Sequence, residues 1–213
     1  MKSKIIIKQI LSVYIVLFIL VLAVHAIADS PDLQYTLNKK YAGASPASRI
    51  PWLTAVFDNN DINDKEPNKV LLTMSAPHLT GTEDVRMWFF NFTLNPDNLS
   101  FTHISGPKAI YIRKGNDCCR ASGTGNYDFE FIFRENEFDS GKTSVYEISY
   151  VSPITITNFS EQSTKPGGSN GGYGSAALIN DINGDNKLLG WIGDDNRGMT
   201  VNADSIINVS AGH

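Results

Sequence analysis

The chain has 213 residues, of which 42% are hydrophobic and 19% charged, with a net charge of −4 and only two cysteines. An acidic balance without a basic stripe speaks against a nucleic-acid-binding protein. Two cysteines exclude a small disulfide-framework fold, and the length suits one domain with a sizeable core.

The first element is a leader. Lys2, Lys4 and Lys8 precede the apolar run "ILSVYIVLFILVLAV" from Ile10 to Val24, and Val24-His25-Ala26 and Ala26-Ile27-Ala28 both offer the small residues a signal peptidase inspects. Residues 1–26 are therefore expected to be a secretory signal peptide, with the mature start near Ile27 or Asp29. A competing arrangement keeps the segment as an anchor, because Gln9 to Ala28 approaches the roughly 20 residues that span a bilayer. Both arrangements put the folded part outside the inner membrane, since the lysines hold the amino end in the cytoplasm. The expected location is secreted or periplasmic, with no membrane span after cleavage. Without residues 1–26 the chain carries 15 basic and 22 acidic residues, a net charge of −7.

Residues 27–49 read as a polar lead-in segment with room for one strand. From residue 50 to 213 short apolar runs alternate with turns. In chain order the runs are "IPWLTAVFD" (50–58), "KVLLTMSA" (69–76), "DVRMWFFNFTL" (84–94), "LSFTHIS" (99–105), "KAIYIRK" (108–114), "YDFEFIFRE" (127–135), "TSVYEISYV" (143–151), "ITITNFS" (154–160), "SAALIND" (175–181), "LLGWIGD" (188–194) and "SIINVS" (205–210). The cleanest alternation sets Phe129, Phe131 and Phe133 on one side, with Asp128 and Glu130 on the other. Runs of this length, rich in Val, Ile, Thr and aromatics and lacking any sustained 3.6-residue period, predict an all-β fold. A single antiparallel β-sandwich, Ig-like or jelly-roll-like, follows the leader and lead-in.

Cys118 and Cys119 are adjacent, so they cannot staple distant loops to each other; a vicinal disulfide in a turn, two free thiols and pairing with another chain all stay open. "DINGDNK" places Asp181, Asn183 and Asp185 at alternate positions, as a calcium loop does. However, the sixth position is Asn186 rather than glycine and the twelfth is Ile192 rather than a bidentate glutamate. The favoured reading is a turn on Asn183-Gly184, whose residues tolerate positive φ. The alternative is a non-helical calcium site helped by Asp194 or Asp195, which makes calcium the one cofactor the pattern admits. Asp58, Asn60, Asp61, Asn63 and Asp64 form a similar cluster, read as a solvated loop. "GGSNG" (167–171) matches the serine-hydrolase pattern literally, yet Ser169 lies in a glycine loop rather than at a strand-to-helix elbow, and its candidate bases, His78 and His103, are far away in sequence. Sequons at Asn91, Asn98, Asn158 and Asn208 are about as many as the composition gives by chance. Trp52, Trp88, Trp191, Tyr111, Tyr127 and Tyr173 could stack on sugars, but most sit in alternating strands and are expected in the core or at its edge. Tyr173, in the glycine loop, is the candidate binding residue.

At "PWLTAVFDNN", "LTGTEDVRMWFFNF" and "GGYGSAALINDINGDNKLLGWIGD" the chain resembles bacterial exported proteins best known for carrying a PEP-CTERM sorting tail. The resemblance covers roughly residues 51–194 and implies an exported β-rich domain of the cell surface or extracellular matrix; it carries over no catalytic residue. The chain ends "INVSAGH", without Pro-Glu-Pro, a second apolar span or a basic tail, so release or periplasmic residence is expected rather than surface sorting. The expected function is a non-catalytic surface or matrix protein with extracellular polysaccharide or surface proteins as partners. The alternative is a polysaccharide-binding module, with calcium as a helper.

Overall fold

The computed structural model describes residues 32–59, 66–165, 172–185, 187–194 and 199–201. The expected signal segment, Asn60 to Asp64, Ser169, Asn186, Asp195 and the run 205–210 lie outside them. The described residues form an all-β protein of two antiparallel sheets packed face to face, as the alternation predicts, with no α-helix among them. The first sheet is ordered β12 (Met199–Val201), β1 (Asp32–Leu37), β3 (Leu53–Asp58), β4 (Lys69–Ser75), β9 (Thr143–Ser149) and β6 (Ser100–Ser105). The second is ordered β2 (Lys39–Gly43), β11 (Gly190–Asp194), β10 (Ser175–Asn180), β5 (Asp84–Phe90), β8 (Gly125–Ile132) and β7 (Tyr111–Ala121).

Among the described strands only β3–β4, β7–β8 and β10–β11 are consecutive hairpin partners; every other connection passes from one sheet to the other. The polar lead-in is part of this weave. Its residues supply β1, paired with β3 on one side and β12 on the other, and β2, paired with β11. Leu33, Tyr35 and Leu37 of β1 are buried at alternate positions, while the residues between them are polar; that pattern lets a hydrophilic stretch serve as a strand inside a sheet.

Between the sheets lies an aromatic core. Phe57, Trp88, Phe90, Phe129, Phe131, Phe133, Phe138 and Phe159 are all fully buried in it. Phe57 and Phe159 stack at 4.5 Å between centroids, and Phe90 meets Phe57 edge-on at 5.2 Å. Each such side chain contributes roughly 2–3 kcal/mol of transfer energy before entropy is charged against it. Tyr35 and Tyr146 enter the same core because their hydroxyls find partners. Tyr35 donates to the Phe159 carbonyl at 2.6 Å, and Tyr146 accepts from Ala109 N at 2.7 Å.

Two runs behave differently from expectation. "ITITNFS" is no strand: Ile156–Phe159 form a 3-10 turn, with Asn158 Oδ1 accepting from Thr155 N at 2.8 Å and Asn59 Oδ1 accepting from Ile156 N at 2.9 Å. Local side-chain acceptors here win over β-branched propensity. The second is β7, which runs on to Ala121, well past the predicted Lys114, through an irregular middle.

Candidate functional site

The outer face of the second sheet brings together Cys118, Cys119, Tyr127 and Trp191 from among the residues singled out in the sequence. In β7, Lys114 lies opposite Phe129 but Cys119 lies opposite Tyr127, so residues 115–118 bulge out of the ladder. Gly115 (φ 150°) and Asp117 (φ 52°) supply the backbone conformations the bulge requires. The Asp128 carboxylate holds it: Oδ1 accepts from Asp117 N and Oδ2 from Phe92 N, both at 2.9 Å. Thr164 Oγ1 donates to Asp117 Oδ1 at 2.5 Å. Burial pushes the Asp128 carboxyl above the usual carboxylate range, and the two backbone donors oppose that. Within the bulge the sulfurs of Cys118 and Cys119 are joined in a disulfide.

Beneath the bulge lies a second, smaller core of Phe89, Cys119, Ala121, Tyr127 and Ala176, edged by Met87, Cys118 and Trp191. Phe89 sits 5.8 Å from Trp191 and 5.7 Å from Tyr127, centroid to centroid. Trp88 and Trp52 are buried in the main core, Tyr111 is exposed, and Trp191 is half-buried. A continuous platform of all six aromatics therefore does not form.

Tyr173 is half-buried and packs on Tyr41 of β2, with ring centroids 4.5 Å apart; Lys39 Nζ stands 5.8 Å from the Tyr41 ring centre. Main-chain bonds fix Tyr173, since its N donates to Ser163 Oγ at 3.2 Å and its carbonyl accepts from Ser163 N at 2.9 Å. Gly193 makes room for this pair. A Cβ there would lie 2.8 Å from the Tyr41 ring and 2.9 Å from the Ser175 carbonyl, so only glycine lets the edge ring lie across β11.

The loop after β10 forms at the other end of the β10–β11 ladder from Asp194. Asn183 (φ 59°) and Gly184 (φ 74°) take consecutive positive φ, and Asp185 N donates to the Ile182 carbonyl at 3.3 Å. This is the turn the Asn-Gly pair predicts, but it caps a longer loop running from Asp181 to Leu189 rather than joining the strands directly. Asn183 and Asp185 are exposed, and Asp185 Oδ1 is taken by Lys187 N at 2.9 Å. Asp194, buried at the far end of β11, accepts from Thr36 N at 2.7 Å. The structure thus does not bring Asp181, Asn183, Asp185 and Asp194 together. Among the described residues, no group of three or more His, Cys, Asp or Glu side chains is arranged to hold a metal ion.

Sequence reasoning missed the buried acids. Glu83 is sealed, with its Oε1 accepting from Ala47 N and its Oε2 from Thr80 N, both at 2.9 Å; Asp84 is fully buried beside Asn180. Glu130 is buried with Arg113 Nε 3.2 Å away. No pattern in the chain marks these, because a polar residue at an alternate strand position reads as outward-facing. Of the candidate bases, His78 Nδ1 donates to the Pro51 carbonyl at 2.7 Å and His103 Nε2 to the Gly106 carbonyl at 3.0 Å. Asn91 is buried with Nδ2 donating to the Glu161 carbonyl, and Asn158 Nδ2 donates to Thr93 Oγ1, whereas Asn98 is exposed. An open cleft of about 580 Å³ lies between the β6–β7 turn and the β8–β9 loop. Its Lys142 is already bonded to the Glu137 carbonyl at 3.0 Å and paired with Asp139 at 3.1 Å.

Compared with protein-family models, with curated proteins and with solved structures, the chain matches none.

Proposed function

We propose that this is an exported, non-catalytic β-sandwich protein of the bacterial cell surface, extracellular matrix or periplasm. The observation that carries the reading is the leader of residues 1–26, in which Lys2, Lys4 and Lys8 precede an apolar run and small residues stand at the cleavage positions; the Cys118–Cys119 bond is in keeping with it. Oxidised cysteines persist outside the cytosol, which agrees with the lysine-flanked apolar leader. The resemblance to PEP-CTERM-tailed exported proteins supports the same location. Cell fractionation with amino-terminal sequencing tests it. Recovery outside the inner membrane with a start near Ile27 or Asp29 is expected, and a cytosolic chain with Met1 intact would refute it.

A second reading, binding of extracellular polysaccharide, is favoured by the half-buried Tyr41–Tyr173 pair beside Lys39. Aromatic faces stack on sugar rings, and here one is offered at a sheet edge. A glycan array probed with the full chain and with Tyr173→Ala decides it: binding that drops in the variant supports a lectin-like role, and equal signals from both remove Tyr173 from it.

A further inference from the structure

We propose that an apolar row on the outer face of the second sheet is the floor of a groove for an extended, uncharged polysaccharide. This rests on the polysaccharide reading of the Tyr41–Tyr173 pair and gives that reading a path and a ligand class. The row is set by register. Tyr111 lies opposite Ile132, Ile132 opposite Met87, Met87 opposite Leu178, Leu178 opposite Trp191, and Trp191 opposite Ala42. Directly paired residues share a face, so these side chains stand next to one another across all six strands of the sheet. At one strand spacing per step the row is about 24 Å long. Tyr111 is 58% exposed, Leu178 is nearly buried, and the rest are half-buried. Ala42 follows Tyr41 in β2, so the row sets out from the aromatic pair and ends at Tyr111 on the opposite edge.

A wall runs beside this floor. The far end of the β7–β8 hairpin turns back over the outer face from one edge of the sheet to the other: a Cβ added to Gly123, at the tip, would lie 3.3 Å from the Cβ of Tyr41. Beneath the fold-back the next row of the sheet, Phe89 opposite Ala176, is wholly buried with Cys119 and Tyr127. Met87 and Trp191 pack against the edge of that small core, which fixes them at the foot of the wall. The described residues thus cover one apolar row and leave the adjoining one open.

The chemistry of the groove selects its occupant. Arg113 and Glu130 lie on one side of the row, with Nε 3.2 Å from Oε1, and Arg86 and Glu135 lie on the other, with Nη1 3.5 Å from Oε2. Each guanidinium already faces a carboxylate of the protein, so the two sides offer polar groups without a net charge to attract a polyion. A protein partner needs about 20–30 residues a side, which a row one residue wide does not supply. A peptide strand laid here would set its N–H and C=O groups against apolar side chains, because main-chain partners are found at a sheet's edge and not on its face. A sugar chain has the opposite layout. Its ring faces are apolar and stack on Trp191 and Tyr111, while its hydroxyls project from the ring edges toward the two ion pairs.

The test uses the full mature chain, with cellohexaose, laminarihexaose and maltohexaose as neutral probes and a galacturonate hexamer as the charged one, read by calorimetry and tryptophan emission. The wild type should bind at least one neutral hexasaccharide, with a shift in emission from Trp191, and should bind the galacturonate hexamer at least about tenfold more weakly. Tyr111→Ala, at an exposed edge position, should weaken the neutral complex at least about tenfold, and Tyr111→Phe, which keeps the ring, should bind as the wild type does. Trp191→Ala should behave as Tyr111→Ala does; if it fails to fold, Tyr111→Ala still decides the matter. Binding that falls in Tyr173→Ala but is unchanged in Tyr111→Ala keeps the polysaccharide reading and overturns the row. A preference for the galacturonate hexamer overturns the ligand class, and a wild-type dimer that Tyr111→Ala dissociates overturns the proposal by giving the row to a second copy. Failure to bind any of the four saccharides removes the proposal together with the reading beneath it.

Discussion

Asp84 begins β5 and looks in the sequence like any polar residue at a strand start, yet burial pushes its carboxyl up to about 6. Desolvation is the main cause; the Asn136 N–H and Arg86 oppose it, while Glu135 and Asp181 add to it. The folded state therefore holds this proton more tightly than the unfolded chain does. Stability from this group is greatest below the unfolded value near 4 and falls as pH rises through about 6. Asp84→Asn should match the wild type at pH 3.5 and exceed it above pH 6.5 by on the order of 2–3 kcal/mol. Urea midpoints measured across that range check this, and parallel curves for the two proteins would count against it. Burial also raises the Asp128 carboxyl, but both of its oxygens are used, so its removal has the opposite effect on stability. Asp128→Ala strips the acceptors from Phe92 N and Asp117 N and should cost about 2–3 kcal/mol in urea unfolding at neutral pH. A loss below about 0.5 kcal/mol, the usual range for unconstrained surface changes, would mean that the bulge stands without it.

At the scale of elements, legibility followed regularity. Phe129, Phe131 and Phe133 announce β8 because all three face the core without interruption. The strand pair before residue 50 was harder to see, since β1 spaces its apolar residues between polar ones and β2 presents Lys39 and Lys40. The 3-10 turn at Ile156–Phe159 was misread because its sequence is β-branched while its caps, Asn158 and Asn59, are polar residues whose effect appears only in three dimensions. In the candidate site, the Asn-Gly turn could be foreseen from local chemistry. The approach of Asp84 to Asp181 could not, because it depends on a register between strands some ninety residues apart in the chain. The structural importance of β1 leads to a direct expectation. A chain beginning at Ile50 would leave an open edge on β3 and remove Leu33, Tyr35 and Leu37 from the core. It should be insoluble or lack near-ultraviolet circular dichroism, whereas a folded, monodisperse product would show that the lead-in is dispensable.

For the molecule as a whole, one aromatic core joins both sheets. Phe57 of the first sheet touches Phe90 of the second, and Phe101 touches Phe129 and Phe131. Neither sheet can bury its inner face alone, so the sandwich should melt as a unit. Tryptophan emission, dominated by the core residues Trp52 and Trp88 and the outer Trp191, and far-ultraviolet circular dichroism should give the same urea midpoint. Midpoints that differ beyond error would reveal two separately stable layers.

The amino-terminal strands have a further consequence for how such a chain comes to be folded. β1 and β2 are made first, yet β2 finds its ladder partner only at Gly190–Asp194, and one side of β1 is covered only by Met199–Val201. A polypeptide that emerges amino end first can pair β1 with β3 early, but must carry β2 and the other side of β1 uncovered until residues 190–201 have arrived. Closure of both sheets then waits on the last strands, which favours delivery of an unfolded chain to the place where it works and leaves a window in which a chaperone could shield the open edges.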